Sequence, residues 1–101
     1  MPVVRISTGH FDSARTEEVI SALRASETTL RQPIGALPGL VAYYVGIDRD
    51  RSSITNTSIW LTRDEAMAVG SLQEMSNLRD AFQQLGVVFE PITNNVTLWE
   101  I

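Results

Sequence analysis

The sequence contains no cysteine and no lysine, and His10 is its only histidine. Without cysteine there are no disulfides, thiolate metal sites, iron–sulfur clusters or cysteine nucleophiles. A single histidine leaves too few ligands for a transition-metal site, which takes three or four nitrogen, sulfur or oxygen donors. No metal is therefore expected. Because lysine is missing, all eight basic residues are arginines, scattered from Arg5 to Arg79 against twelve acidic residues, for a net charge of −4. Nucleic-acid binding needs clustered cations to neutralise phosphates, and an anionic membrane surface asks for the same. Neither nucleic acid nor membrane is expected as a partner. No apolar run approaches the ~20 residues that span a bilayer. Met1-Pro2-Val3-Val4-Arg5 leads straight into a strand-like pattern with no charged-then-apolar leader, so a cytoplasmic location is expected.

What is present is ordinary for a globular domain: 44% hydrophobic and 20% charged residues in a chain of 101. That length makes one domain, residues 1–101, and a monomer of this size buries only roughly two thirds of its unfolded surface. Val3 to Ile6 reads as a first strand ending near Gly9. Asp12 or Ser13 can cap a helix whose apolar face is Val19, Leu23, Leu30 and Ile34, and Pro33 is expected to divide it from a short final turn. Leu40 to Asp48 reads as a strand with Val41, Tyr43, Val45 and Ile47 on one face and Leu40, Ala42 and Tyr44 on the other. A polar hairpin follows. Ile54 to Leu61 then alternates, with Ile54, Asn56, Ser58 and Trp60 on one face. Thr62 to Glu65 spells a capping box, Ser71 to Glu74 repeats it, and Leu72, Met75, Leu78, Phe82 and Leu85 form an apolar stripe before Gly86. Val87 to Phe89 starts a last extended region that Pro91 breaks. Asn94-Asn95 reads as a turn or bulge and Val96 to Ile101 as the closing strand.

The order strand, helix, strand, strand, helix, strand implies an α+β fold: a ferredoxin-like βαββαβ antiparallel sheet with helices on one face. The uncovered face asks for a partner, and a second copy of the chain, giving a homodimer, is the simplest one.

With Leu37-Pro38-Gly39-Leu40 before strand 2, Ser58-Ile59-Trp60 leading to Asp64-Glu65-Ala66, and Pro91-Ile92-Thr93-Asn94-Asn95 near the end, the chain resembles the dimeric α/β-barrel superfamily. Within it, the resemblance is to the antibiotic-biosynthesis monooxygenase-like proteins. The resemblance spans essentially the whole chain and marks a fold family more specifically than a chemistry. It implies a pocket between sheet and helices, lined in oxygenase members by an Asn, a Trp and sometimes a His or Tyr. The Trp of strand 3 corresponds to Trp60. The heme-degrading branch uses a histidine on helix 2; none lies between Asp64 and Leu85, so heme is not expected.

Several residues are candidates for a site. His10 carries the imidazole that suits a general base, or it is a polar strand-end residue. Asn56 sits in a strand, where its type is disfavoured; it either meets a ligand or developing oxyanion, or is a satisfied sheet amide. Trp60 and Ser58 share its strand face, as an aromatic platform and a polar point or as core. Tyr43 and Tyr44 point to opposite faces, so only one can share a cavity with Trp60. Arg5 needs a carboxylate inside a barrel, and otherwise holds an anionic substrate. Two functions follow as expectations. One is a cofactor-independent monooxygenase-like enzyme acting on an aromatic or polyketide-like small molecule, with His10, Asn56 and Trp60 catalytic and Tyr43, Tyr44, Ser58 and Arg5 binding substrate. The other is a non-catalytic barrel that binds a small ligand or serves a stress response.

Overall fold

A computed structural model describes all of residues 1–101. Its elements run β1 (Val3–His10), α1 (Thr16–Gly35), β2 (Leu40–Asp48), β3 (Ser53–Trp60), α2 (Arg63–Ala68), α3 (Gln73–Gln84), β4 (Val88–Phe89) and β5 (Thr93–Val96). All strand pairs are antiparallel, in the order β2-β3-β1, with β4 and β5 sharing the far edge of β1. This is the ferredoxin-like α+β arrangement, with its last strand broken in two by the segment containing Pro91. Proline cannot donate to a ladder, which explains the break.

Local chemistry accounts for most element ends. Asp12 caps the short turn before α1 by accepting from the Ala14 N–H at 2.9 Å. At α2, Thr62 accepts from the Glu65 N–H and donates its hydroxyl to the Glu65 carboxylate. Gly86, at φ +85°, closes α3 as a left-handed stop: its N–H donates to Gln83, and the Val87 N–H reaches back to Phe82. Gly39, at φ +82°, takes a left-handed conformation that L side chains rarely adopt, with the Glu65 carboxylate packed against it.

Four details differ from the sequence reading. Helix α1 runs on through Pro33 to Gly35, because a proline near the end of a helix forfeits one hydrogen bond without losing the helical path. No second capping box forms at Ser71; the N-cap of α3 is Leu72, after a 3-10 turn at Val69–Ser71. A bulge at Val41 shifts the register of β2, so Leu40 joins Tyr43, Val45 and Ile47 on the inner face while Val41 turns outward. The closing strand is Thr93–Val96, not Val96 to Ile101, and Asn94 and Asn95 lie within it. Pairing with β1 outweighs the weak strand preference of asparagine, and the Asn95 amide adds a bond to the Val4 carbonyl at 3.1 Å.

The inner sheet face supports two hydrophobic clusters. Val3, Leu30, Ile34, Trp60, Ala66 and Val69 form one; Phe11, Val19, Ile54, Phe82 and Val87 form the other. They lie toward opposite ends of the central strands. Between them, the inward positions of β1 and β3 carry Arg5, Ser7 and Asn56 instead of large apolar side chains, and α1 contributes Ser26. Small and polar residues at the centre of the sheet cannot close the core, and a cavity results.

Candidate functional site

The cavity has a volume of about 240 Å³ and lies between the sheet and helices α1 and α3. Its apolar wall includes Leu23, Leu30, Ile54, Met75, Leu78 and Phe82. Its polar groups are Arg5, Ser7, Ser26, Thr55, Asn56, Ser76 and Arg79, and no aspartate or glutamate lines it. A wider groove of about 620 Å³ runs between α1 and the edge strand β2. Leu23, Ser26, Leu30 and Val45 border both spaces, so the two are neighbours.

Tyr43, from the groove side, and Asn56, from the cavity side, are joined by a hydrogen bond in which the Asn56 amide donates to the Tyr43 hydroxyl. That hydroxyl in turn faces the Met75 sulfur at 3.9 Å, a weak acceptor. The phenol is thus half-satisfied, with a proton that a better acceptor would attract. Burial pushes the Tyr43 pKa above its ordinary value; the Asn56 hydrogen bond and the Arg5 charge oppose this but do not cancel it. Tyr43 is therefore neutral at neutral pH, a donor and not a base. A folded-state pKa above the unfolded one gives stability that is present below about pH 10 and lost as pH rises through the folded value. Tyr43→Phe is expected to flatten the alkaline side of a stability-versus-pH curve, measured by urea denaturation between pH 8 and 11. An unchanged alkaline limb would mean the phenol is not buried in solution.

Arg5 is only 9% exposed, on the inner face of β1. Its guanidinium takes part in no ion pair and donates to no protein group; the ion pairs of the molecule use Arg15, Arg31, Arg49, Arg51 and His10. Desolvation lowers its pKa, with the nearby Tyr43 phenol opposing. In the strand register Arg5 stands opposite Asn94, whose buried Oδ1 also lacks a partner.

The sequence candidates thus separate. Arg5 and Asn56 meet at the cavity, with Tyr43 bonded to Asn56. Trp60 and Ser58 do not line it: Trp60 is fully buried in the first core cluster, and its indole N–H donates to the Ser58 hydroxyl at 2.8 Å. The two satisfy one another within the core. Tyr44 lies on the outer sheet face, 62% exposed. His10 falls at the exposed end of β1 with its Nε2 2.6 Å from Glu90, outside the cavity. Arg79, which the sequence reading passed over, lines the cavity from α3 and stacks over the Phe89 ring at 5.0 Å. Its position on the stripe beside Leu78 and Phe82 was the available signal.

No family description matches this sequence, and no curated relative does. Solved structures do match in fold. One, from Deinococcus radiodurans and provisionally called an antibiotic biosynthesis monooxygenase, superimposes with a TM-score of 0.75 at 19% identity, over 98% of this chain and 95% of that one. SnoaB of Streptomyces nogalater, a cofactor-independent oxygenase, matches at 0.65 and 17% identity, over 99% and 96%. A dimeric ferredoxin-like protein from an uncultured marine organism matches at 0.73 and 15%, over 99% and 98%. The chain has the ferredoxin-like fold of the antibiotic biosynthesis monooxygenase-like structures.

Proposed function

We propose that this chain is a homodimeric α/β-barrel enzyme that oxygenates an aromatic or polyketide-like small molecule without a cofactor. The observation that carries the reading is the Asn56–Tyr43 pair on the wall of an otherwise largely apolar cavity. In such chemistry the enolate or phenolate of the substrate itself reduces dioxygen; a methylene and O2 become a carbonyl and water. The protein needs only to orient the substrate, hold the developing oxyanion and exclude bulk water. Asn56 and the neutral Tyr43 phenol are hydrogen-bond donors suited to that oxyanion, and the fold shared with SnoaB is consistent with it. The outer sheet face, with Val4, Ile6, Tyr44 and Ile59, is covered by no element of the chain and fits a second copy.

The test is dioxygen uptake with hydroxyarenes and anthrone-type phenols, with oligomeric state followed by sedimentation. Asn56→Ala is expected to lower turnover by roughly 100-fold, the scale for losing one oxyanion donor, while the melting temperature holds. Unchanged turnover in the variant, or no uptake by the parent protein across the panel, sinks the enzyme reading. The second reading, a non-catalytic ligand-binding barrel, is favoured by one fact: the only histidine lies outside the cavity, paired with Glu90. It calls for an affinity that does not change with pH and is untouched by His10→Ala.

A further inference from the structure

We infer that the cavity takes an organic acid: an aromatic monocarboxylic acid of one or two rings, its carboxylate held by the guanidinium of Arg5. The inference deepens the functional reading above and rests on it for the aromatic body of the ligand. The charge pattern supplies the rest. A chain with net charge −4 carries two arginines and no carboxylate on the lining of the cavity between its sheet and helices. Arg79 has the Phe89 ring as a partner. Arg5 has none, although nine tenths of it is buried.

A buried cation without a counter-charge is costly, and folded proteins pair such groups or give them a ligand. Here the protein withholds the pair. Of its eight arginines, Arg15, Arg31, Arg49 and Arg51 find acidic partners on the surface at Glu18, Glu27, Glu17 and Asp48, while the one buried at the centre of the sheet does not. The guanidinium is a planar fork matched to a carboxylate, which it binds through two parallel N–H···O bonds. Arg5 reaches the cavity beside Gly70, where its Nη2 lies 3.4 Å from the place a Cβ would take, an ordinary contact distance.

The cavity also limits the body of the ligand. About 240 Å³ is below the ~300–1,000 Å³ usual for drug-sized molecules, which suits one or two rings. Leu30, Ile54, Leu78 and Phe82 offer those rings apolar surface. The acid head sets the orientation: with the carboxylate on Arg5 at the inner face of β1, the ring system lies across β3 toward Asn56. Arg5 is therefore a binding residue that sets substrate class, separate from the Asn56–Tyr43 donors.

The experiment is isothermal titration of 2-naphthoate and of its neutral isostere 2-naphthamide, against the parent protein, Arg5→Met, Arg5→Lys and Arg79→Met. The parent is expected to prefer naphthoate by roughly 10- to 100-fold, the range of a charge-assisted pair. Arg5→Met should abolish that preference without weakening naphthamide, Arg5→Lys should keep part of it, and Arg79→Met should leave most of it. Equal binding of acid and amide by the parent, binding of neither, or a preference that survives Arg5→Met and disappears with Arg79→Met would overturn the inference. Dioxygen uptake is scored separately. An acid preference without uptake removes the oxygenase and keeps the acid site; uptake with neutral hydroxyarenes and no acid preference does the reverse.

Discussion

Trp60→Ala is expected to lower the unfolding free energy by about 3–5 kcal/mol, the usual loss when a large buried aromatic is truncated to alanine. Small domains have about 5–15 kcal/mol in total, so the variant should be partly unfolded at room temperature. Trp60 is fully buried, and it joins Val3 of β1, Leu30 and Ile34 of α1, and Ala66 of α2 in one cluster. Its removal therefore unties the sheet from two helices at once. A second loss is local, because the buried Ser58 hydroxyl accepts from the indole N–H. Trp60→Phe keeps most of the ring but leaves Ser58 unmatched, at about 1–3 kcal/mol. Adding Ser58→Ala to Trp60→Phe should recover part of that. Urea denaturation followed by far-ultraviolet circular dichroism measures all three. A loss below about 1 kcal/mol for Trp60→Ala, well under the usual truncation range, would put Trp60 at a solvent-filled surface, and a binding role would have to be reconsidered.

That result bears on what the sequence made legible. Element order, the alternation of β3, the capping box at Thr62 and the stop at Gly86 all follow from local chemistry, and the structure shows each of them. The position of Asn56 on the face of Ile54, Ser58 and Trp60 was equally readable, since a strand has period two. Sharing a face did not mean sharing a cavity. Trp60 and Ser58 lie at one end of that face, under the N-terminal turns of the second helical region, and Asn56 lies in its middle, where no large side chain fills the space. Depth along a face depends on which helix residues pack above it, and that is a long-range property. The bulge at Val41 was hidden for a similar reason: only the pairing with Trp60 and Ile59 reveals that one residue of β2 is extra. The missing partner of Arg5 is the clearest case. A strand arginine facing inward asks for an acid, and whether the fold delivers one is decided by residues far away in sequence. Here it delivers Asn94 and a tyrosine.

The same arginine leads to an expected gain. Arg5→Met should raise the unfolding free energy by about 1–3 kcal/mol, because replacing buried charge by an apolar group of similar length is often stabilising. In a domain of this size the melting temperature should rise by about 4–8 °C for each kcal/mol. The argument needs no ligand. Desolvation disfavours the charged guanidinium, no carboxylate compensates it, and the long methionine side chain would extend the apolar wall formed by Leu30, Val69 and Leu78. A protein that keeps a destabilising charge at the centre of its sheet has traded stability for a site. Calorimetry on Arg5→Met and Arg5→Lys separates the contributions: lysine keeps the charge and should gain little, while methionine should gain most of the effect. If methionine instead lowers the melting temperature, the guanidinium has acceptors within the protein in solution. Its charge would then be structural, and the acid-binding role of Arg5 would lose its physical basis.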